Sequence, residues 1–417
     1  MPSGGATLPP ATSGSTTPPP AVAPPAASND NVFFASAMRR LTKAELRQTL
    51  IDLTGADLGT ELAKFPEDFS EAGDVFAFDN KYTHQQPSAA LIEAAKNLAD
   101  VVGTKFMADA GMRSRIVPCT PTGPGDEACL KRFMESFGRR ALRRPLTTEE
   151  ITRYTSKLLP FAVEAKDFNR AIYLGVRALL QDVEFLYRPE IGQPVMGVPG
   201  LFKLTGVEVA SRLSYLLWGT APDDALLAEA LTGNKLATPE AIRATALKMM
   251  GDPRAKRGVE RFHALWLGWE RQPPPAQMSG AMLGESSALL NRVIFEKRSS
   301  WLDLLRSTET FVDAPLAAHY GLPAPAGGSG WVNYGATKRQ GILSHATFLG
   351  VERKHADTSP TMRGQFIRTR LLCQPIPPPP PELMVDVDAV PTAGECKSDR
   401  YNMWKMDGCK GCHLMMD

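Results

Sequence analysis

The residues best suited to chemistry lie at the end of the chain, in the run Cys409-Lys410-Gly411-Cys412-His413. In a helix, two thiols three residues apart lie about one turn from each other, so both can add to the two vinyl groups on one edge of a haem. The adjacent His413 is then placed to ligate the iron. This C-x-x-C-H order is the attachment signature of c-type haem. We therefore expect Cys409, Cys412 and His413 to bind a covalent haem c with its iron.

Two other roles for these thiols stay open. Cys409 and Cys412 can form a redox or structural disulfide with each other. Alternatively, they can bind zinc together with His413 and Cys396. The zinc site needs a free Cys396 and the closure of a long loop, and the disulfide leaves His413 without a role, so haem is the favoured interpretation.

The sixth position of the iron needs a ligand from elsewhere in the chain. Met415 and Met416 follow His413 too closely to reach the opposite face of the porphyrin. The candidates are two histidines and two methionines, namely His345, His355, Met403 and Met406. Ligation by a methionine sulfur would raise the potential relative to ligation by two histidines. The sequence leaves all four candidates open, and an inward His345 is equally compatible with a core residue.

The four other cysteines form two closely spaced pairs that are candidates for disulfides. Cys119 and Cys129 flank one loop that contains proline and glycine, and Cys373 and Cys396 flank another. A cross-link at either place would restrict the unfolded chain. Disulfides and haem thioethers are both made outside the cytoplasm, so the two expectations agree on an oxidising compartment. The alternative is four reduced thiols.

Composition and charge exclude several classes of protein. The 417 residues include 47 basic and 45 acidic side chains, so the formal charge of +2 gives no field that would attract nucleic acid. No apolar run approaches the roughly 18 residues of a membrane span. The first 28 residues contain no charge and read as a solvated tether rather than a signal peptide. Such a tether is typical of the segment after a cleaved leader or a lipid-anchored N-terminus, and we expect that leader upstream of Met1.

The body of the chain has the apolar spacing of helices, and strand-type alternation is almost absent. Three threonine–glutamate pairs predict helix starts in which both side chains satisfy free backbone N–H groups. The pairs are Thr42 with Glu45, Thr147 with Glu150, and Thr205 with Glu208, and Thr238-Pro239 adds a fourth start. The prediction is an all-α fold, with further helices over 88–109, 127–142, 168–187, 222–232, 253–268, 285–305, 338–350 and 361–373.

Proline and glycine clusters divide this body into regions. The predicted order is a Pro/Ala/Ser/Thr tether over 1–31, helical regions over 32–110, 111–190 and 191–335, and a C-terminal module over 336–417. A proline run over 375–381, broken only by Ile376, predicts a stiff polyproline spacer ahead of the Cys-x-x-Cys-His tail.

Outside the tail, the sequence contains no motif of known catalytic chemistry. It lacks a phosphate-binding glycine loop, a nucleophile elbow and a zinc-binding histidine pair, so a hydrolase or transferase has no support. His263 lies in an apolar helix and is interpreted as a partnered structural histidine. Asp223 and Asp224 favour a helix start. A cluster of four arginines favours a face paired to carboxylates over an anion or haem-propionate site, and it consists of Arg139, Arg140, Arg143 and Arg144.

Several segments resemble, in the same order, the modules of one bacterial family. They are LTKAE at 41–45, FGRRALRRPL at 137–146, ASRLSYLLWG at 210–219, DPRA at 252–255, GILSH at 341–345 and TSPTMRG at 358–364. The family is the uncharacterised group of consecutive domains of unknown function, the fifteen-ninety-two and fifteen-eighty-eight domains among them. It is abundant in planctomycetes and myxobacteria and often described as cytochrome-c-like. The resemblance implies export, haem attachment by Cys409, Cys412 and His413, and a further module beyond Asp417.

These observations give one leading functional hypothesis. The protein is expected to be an exported c-type haem protein that exchanges electrons with a redox partner protein in the periplasm, in the cell envelope or outside the cell. The alternative is a non-redox envelope scaffold or binding protein whose tail is stapled by a disulfide or by zinc. Neither hypothesis involves nucleic acid or a transmembrane segment.

Overall fold

Helices form most of the structure, a computed structural model that describes residues 38–69, 78–233, 235–270, 273–351, 359–374, 376, 405 and 409–416. The strands of the described residues form three two-stranded sheets. The all-α prediction is therefore confirmed. Among the described residues, no helix is both long enough and apolar enough to cross a membrane.

The first part of the chain closes on itself between positions 39 and 188. Strand β1 (Arg39–Arg40) pairs antiparallel with β2 (Tyr187–Arg188), so the beginning and the end of this part lie side by side. The helices between them are α1 (Lys43–Thr54), α2 (Gly59–Leu62), α3 (Ala89–Ala108), α4 (Ala110–Ile116), α5 (Glu127–Phe133), α6 (Arg139–Leu142), α7 (Thr148–Ala165), α8 (Asn169–Leu180) and α9 (Val183–Leu186). A π-helical turn, Met134–Gly138, joins α5 to α6.

One apolar core serves this whole part. Leu50 of α1, Leu98 of α3 and Ile172 of α8 are completely buried in it, and α3 packs along α8. The core therefore joins the predicted regions 32–110 and 111–190 through shared side chains. Burial of a leucine or isoleucine side chain contributes about 1.5–3 kcal/mol, so this shared core is the main stabilising element of the part.

The second part supplies the remaining elements. They are β3 (Gln193–Pro194), β4 (Phe202–Lys203), α10 (Gly206–Leu217), α11 (Asp224–Leu231), α12 (Pro239–Met250), α13 (Arg254–Leu267), α14 (Ser279–Leu290), α15 (Asp303–Arg306), β5 (Glu309–Asp313), α16 (Ala314–Tyr320), β6 (Ser329–Asn333), α17 (Ala346–Leu349), α18 (Pro360–Phe366) and α19 (Lys410–Met416). The π-helical turns Asn291–Glu296 and Ile367–Leu371 extend α14 and α18.

The predicted helix starts are confirmed at atomic detail. The Thr42 hydroxyl accepts from the Glu45 N–H, and the Glu45 carboxylate accepts from the Thr42 N–H at 2.9 Å. The same reciprocal pair opens α7 and α10, and Thr238 with Pro239 opens α12. A cap of this kind contributes about 1 kcal/mol, enough to fix where a helix begins.

The predicted helix over 338–350 is wrong. The structure has a 3₁₀ turn, Ile342–Ser344, then an extended His345, and only then the short α17. Gly341 has a φ of +58° and faces the Leu305 backbone so closely that a Cβ atom would overlap its carbonyl. A continuous helix cannot pass through this contact, because left-handed backbone ends the helical hydrogen-bond ladder.

The predicted helix over 285–305 is broken in the same way. The chain leaves the helical path after Glu296, and Arg298 adopts a positive φ of 48° before α15 begins. The antiparallel pair of β5 and β6 was not predicted, although buried Thr310 and Val312 alternate with more exposed neighbours. The predicted tether over 1–31 and the spacer over 375–381, except position 376, lie outside the described residues.

Candidate functional site

The Cys-x-x-Cys-His run forms the first turn of α19. The backbone N–H of His413 donates to the carbonyl oxygen of Cys409 at 3.1 Å, so positions 409–413 complete one helical turn. Residues three apart on a helix share a face, which places the side chains of Cys409 and Cys412 on the same side. Both cysteines are half-buried and carry free thiols.

Helix α19 is held against α18 by backbone contact. A Cβ atom on Gly364 would overlap the carbonyl oxygen of Met416, so the two helices touch at the glycine. The Nε of Arg368 donates to the carbonyl oxygen of Met415 at 2.9 Å. A cation at this end of α19 also opposes the negative end of the helix dipole. These contacts fix the orientation of the face that carries the two thiols.

The donor set of α19 fits covalent haem. Two free thiols on one face, one turn apart and followed directly by an imidazole, are the groups that c-type attachment requires. Within the described ranges, no group of three or more His, Cys, Asp and Glu side chains is gathered for a metal ion. The other candidate ligands His355, Met403 and Met406 and the zinc candidate Cys396 lie outside the described residues.

The structure places His345 inside the protein. Its imidazole is completely buried, with Nδ1 3.1 Å from the Ser286 hydroxyl and Nε2 3.7 Å from Oε1 of Glu285. Both ring nitrogens therefore face protein groups in this structure. This is the core position that the sequence left open for His345, and its possible role as an iron ligand stays a prediction.

The groups around His345 form a buried polar cluster that the sequence did not predict. Glu285 on α14 is completely buried and accepts hydrogen bonds from Thr310 at 2.5 Å and from the Tyr320 hydroxyl at 2.6 Å. The backbone N–H of Ala346 donates to the same Tyr320 oxygen at 2.7 Å. Glu285 belongs to α14, and His345 reaches it from 60 positions away, so no short motif joins them.

Burial sets the protonation of this cluster. It raises the pKa of the Glu285 carboxyl to about 7, although the hydrogen bonds from Thr310 and Tyr320 oppose the shift. Burial, helped by the positive charge of Arg339, lowers the pKa of His345 to about 3. His345 is therefore neutral, and its contact with Glu285 is not an ion pair at neutral pH.

A cleft of about 1040 Å³ lies between α1 and the pair α13 and α14. Its walls carry basic, acidic and hydroxyl side chains together with one indole, namely Lys43, Arg47, Arg257, Arg261, Glu260, Glu270, Trp269, Ser286 and Ser287. Arg261 pairs with Glu270 at 2.7 Å and also contacts Asp79. Ser286, which contacts His345, is thus part of the cleft wall.

The arginine cluster is occupied by protein groups. Arg139 pairs with Asp224 at 2.6 Å, and Arg144 pairs with Glu150 at 2.8 Å. Arg143 is buried and donates to the carbonyl oxygens of Glu184, Phe185 and Tyr187, while Arg140 donates to the carbonyl of Asp52. The predicted pairing with carboxylates is confirmed for Arg139 and Arg144. It is wrong for Arg140 and Arg143, which donate to backbone carbonyl oxygens.

Two further predictions concern His263 and the cysteine pairs. Trp301 donates from Nε1 to Nε2 of His263 at 3.1 Å, so the ring proton is on Nδ1 and is donated to the Val259 carbonyl. His263 is thus the partnered structural histidine that was predicted.

Cys119 and Cys129 are joined in a disulfide with Cα atoms 5.8 Å apart. Cys373 is an exposed free thiol, and its expected partner Cys396 is outside the described residues.

Comparison with known proteins gives four family models that match in succession. Residues 39–108 match the protein of unknown function DUF1587, residues 129–190 match DUF1595, residues 204–322 match DUF1592, and residues 339–417 match DUF1588, whose short name is PSCyt3. No curated protein matches the chain. No solved structure matches it either. The order and extent of the four matches show that the chain belongs to the planctomycete-type group of proteins built from these consecutive domains of unknown function.

Proposed function

We propose that the protein is an exported c-type haem protein that transfers electrons in the bacterial periplasm or outside the cell. The observation that carries the proposal is the position of Cys409, Cys412 and His413 on one helical turn, with both thiols free. Covalent attachment needs these three groups in this order. The short name PSCyt3 of the model matched by residues 339–417 is consistent with the proposal.

Each residue of the motif has a distinct part in this proposal. Cys409 and Cys412 would hold the haem through thioether bonds, and His413 would ligate the iron. The bound group supplies a reversible one-electron couple whose potential depends on burial and axial ligation. Gly364 and Arg368 act indirectly, because they fix α19 against α18 and thereby set the direction of the thiol face.

The proposed compartment is supported by the cysteine chemistry of the first part of the chain. The disulfide between Cys119 and Cys129 is a bond that persists in oxidising compartments and is rare in the cytosol. Thioether attachment of haem is likewise completed outside the cytoplasm. Both features favour export and a redox partner protein in the same compartment.

The decisive experiment measures covalent haem. The complete gene is expressed with a haem-maturation system, and the exported protein is denatured and extracted with acid. We expect a pyridine haemochrome spectrum that remains with the polypeptide, and a protein mass increased by one haem. The double variant Cys409→Ser/Cys412→Ser should lose both signals, because neither thioether bond can form.

The matched control is Cys373→Ser, which removes an exposed free thiol outside the motif. This variant should retain the full haemochrome spectrum. Export of folded wild-type protein without covalent haem would overturn the proposal. In that case, loss of α-helical circular dichroism in Cys409→Ser/Cys412→Ser would favour the scaffold with a stapled tail.

A further inference from the structure

Arg188 of β2 is a buried arginine whose N–H groups lack an acceptor among the described residues. Only 8 % of the residue is exposed, and its Nε has no hydrogen-bond partner there. Within the same part of the chain its guanidinium forms no ion pair, and the central carbon lies 5.1 Å from the centre of the Tyr215 ring. An aromatic ring attracts the positive charge but offers no acceptor in the plane of the N–H groups. The contact with Tyr215 therefore leaves these N–H groups available to a ligand.

Other arginines with a buried and unpartnered Nε still pair with a carboxylate. Arg40 pairs with Asp68 at 2.7 Å. Arg177 pairs with Asp100. A guanidinium without such a partner costs free energy on burial, because the unpaired charge loses its hydration. Proteins keep costs of this kind chiefly at functional sites, so Arg188 marks a candidate site.

Arg188 lies in the wall of a cavity of about 490 Å³. Residues of the segment 183–191 and of the start of α10 form most of this wall. Binding sites for small molecules have volumes of about 300–1,000 Å³, so the cavity is large enough for a compact organic ligand. It shares no residue with the cleft between α1, α13 and α14 or with the Cys-x-x-Cys-His run.

Three of the residues that line the cavity are exposed apolar side chains. They are Met38, Val183 and Ile191, and Ile191 is 74 % exposed. Leu142 and Val207 are further apolar residues of the wall. Apolar surface is costly to keep in water and is covered when an apolar ligand binds. Apolar walls that contain a single available charged group are the usual composition of a site for a small molecule.

The carboxylates of the wall are engaged by donors other than Arg188. Glu184 accepts from Nε of Arg144 at 2.7 Å. Glu190 pairs with Arg212 at 2.5 Å, and Glu208 accepts from two backbone N–H groups ahead of α10. These three negative charges disfavour a doubly charged ligand such as phosphate. A single carboxylate matches the available guanidinium, since its two oxygens can accept from two parallel N–H groups.

We propose that this cavity binds a small aliphatic carboxylate, with the carboxylate on Arg188 and the hydrocarbon body against the apolar wall. The ligand supplies the acceptors that the guanidinium lacks, and it covers the exposed side chains of Val183 and Ile191. Each methylene group that leaves water strengthens binding by up to about fourfold. The site is independent of haem attachment, because it uses no residue of the Cys-x-x-Cys-His run.

The test is isothermal titration calorimetry of the full chain with hexanoate, hexanol and acetate. Hexanol has the apolar body without the charge, and acetate has the charge without the apolar body. We expect hexanoate to bind at least about tenfold more tightly than either of the other two, because only hexanoate makes both kinds of contact. Absence of hexanoate binding at millimolar concentration, or equal binding of hexanol, would overturn the proposal. Tighter binding of inorganic phosphate than of hexanoate would also overturn it, since the site would then select a different anion.

Two variants and a matched control place the ligand in this cavity. Arg188→Met should weaken hexanoate binding at least about tenfold and leave hexanol binding unchanged, because only the charged contact is lost. Ile191→Asp adds a negative charge at an exposed position of the wall, so it should weaken hexanoate binding without disturbing the fold. Ile92→Asp makes the same change at a 69 % exposed position outside the cavity and should bind hexanoate like wild type. Equal affinity in Ile191→Asp and Ile92→Asp would contradict the proposed site even where Arg188→Met does not fold, and so would unchanged affinity in folded Arg188→Met.

Discussion

Gly364 of α18 lies directly against the carbonyl oxygen of Met416, so the helix with the Cys-x-x-Cys-His motif meets its neighbour backbone to backbone. Arg368 strengthens the contact by donating to the adjacent carbonyl of Met415. The tail helix has only seven residues and is too short to be stable alone in water. Its order therefore depends on this contact with α18.

Replacement of Gly364 by alanine tests that dependence. The added methyl group would overlap the Met416 carbonyl, and overpacking of this kind costs about 1–3 kcal/mol. We expect Gly364→Ala to release α19 from α18. Amide hydrogen exchange over 410–416 should then become fast, while exchange in the buried helices α3 and α8 stays slow.

The control for this substitution is available in the same helix pair. Gly411 has open space around its Cα, so Gly411→Ala meets no atom and gains up to about 1 kcal/mol of helix propensity. Exchange over 410–416 should be unchanged or slower in Gly411→Ala. Similar exchange in the two variants would show that the close approach at Gly364 does not hold the tail.

Arg143 should be the most sensitive member of the arginine cluster. It is buried and donates to the carbonyl oxygens of Glu184, Phe185 and Tyr187 at the end of the first part. In Arg143→Met these acceptors lose their donor, and each buried unsatisfied group costs about 1–3 kcal/mol. We expect the free energy of unfolding in urea to fall by about 3 kcal/mol or more.

Arg139→Met is the matched substitution at a surface pair. The exposed pairing of Arg139 with Asp224 contributes less than about 1 kcal/mol, so this variant should unfold close to wild type. Addition of inorganic phosphate should leave the stability of the wild-type protein unchanged, because the guanidinium groups of the cluster are engaged within the protein. A clear stabilisation by phosphate would instead favour an anion site.

The buried pair makes opposite contributions to the pH dependence of stability. Burial raises the pKa of Glu285 from 4.5 to about 7 in the folded protein. Its contribution to the free energy of unfolding is therefore present at low pH and is lost as the pH rises from 4.5 to about 7. The folded pKa of His345 is lowered from 6.5 to about 3, so its contribution increases as pH rises between those values. The two slopes oppose each other where the windows overlap.

Single substitutions should expose each slope. Relative to wild type, the free energy of unfolding of Glu285→Gln should rise with pH between 4.5 and about 7, by up to about 1.4 kcal/mol per pH unit. That of His345→Gln should fall with pH below 6.5. Urea denaturation at a series of pH values measures both. Slopes of the same sign in the two variants would contradict the assigned shifts.

Reduction of the disulfide between Cys119 and Cys129 should destabilise the first part of the chain. The bond closes a loop of ten residues, for which the loss of chain entropy corresponds to about 3 kcal/mol. The free energy of unfolding of Cys119→Ala/Cys129→Ala should be lower than that of wild type by about 3 kcal/mol, which lowers its urea midpoint. Reductant should lower the midpoint of wild type and of Cys373→Ser equally, and it should leave the double variant unchanged.

Local features of the fold could be predicted from the sequence because their physics is local. Thr42 and Glu45 are three positions apart and satisfy each other's backbone groups, so the start of α1 is encoded in four residues. The spacing of Cys409, Cys412 and His413 likewise predicts a site within a single turn. That turn could be predicted from the sequence, whereas its support by Gly364 could not.

Features that depend on distant contacts could not be predicted in this way. Gly341 ends the predicted helix because it packs on Leu305, and only the folded chain brings these two residues together. The same holds for Glu285 and His345, which lie on separate elements and share no spacing that a motif would record. The only signal in the sequence is a glutamate within a largely apolar helix, and this signal does not identify the residue that the glutamate contacts.

The pairing of Arg40 with Tyr187 places the beginning and the end of the segment 38–190 side by side. Chain ends that are neighbours are the arrangement in which circular permutation and domain insertion are tolerated. This segment spans two of the four matched families, and both contribute side chains to one core, so neither family match is a separate core of its own. Recombinant fragments should therefore not be cut between its two families, and they should keep Tyr215 of α10, which is buried in the same core.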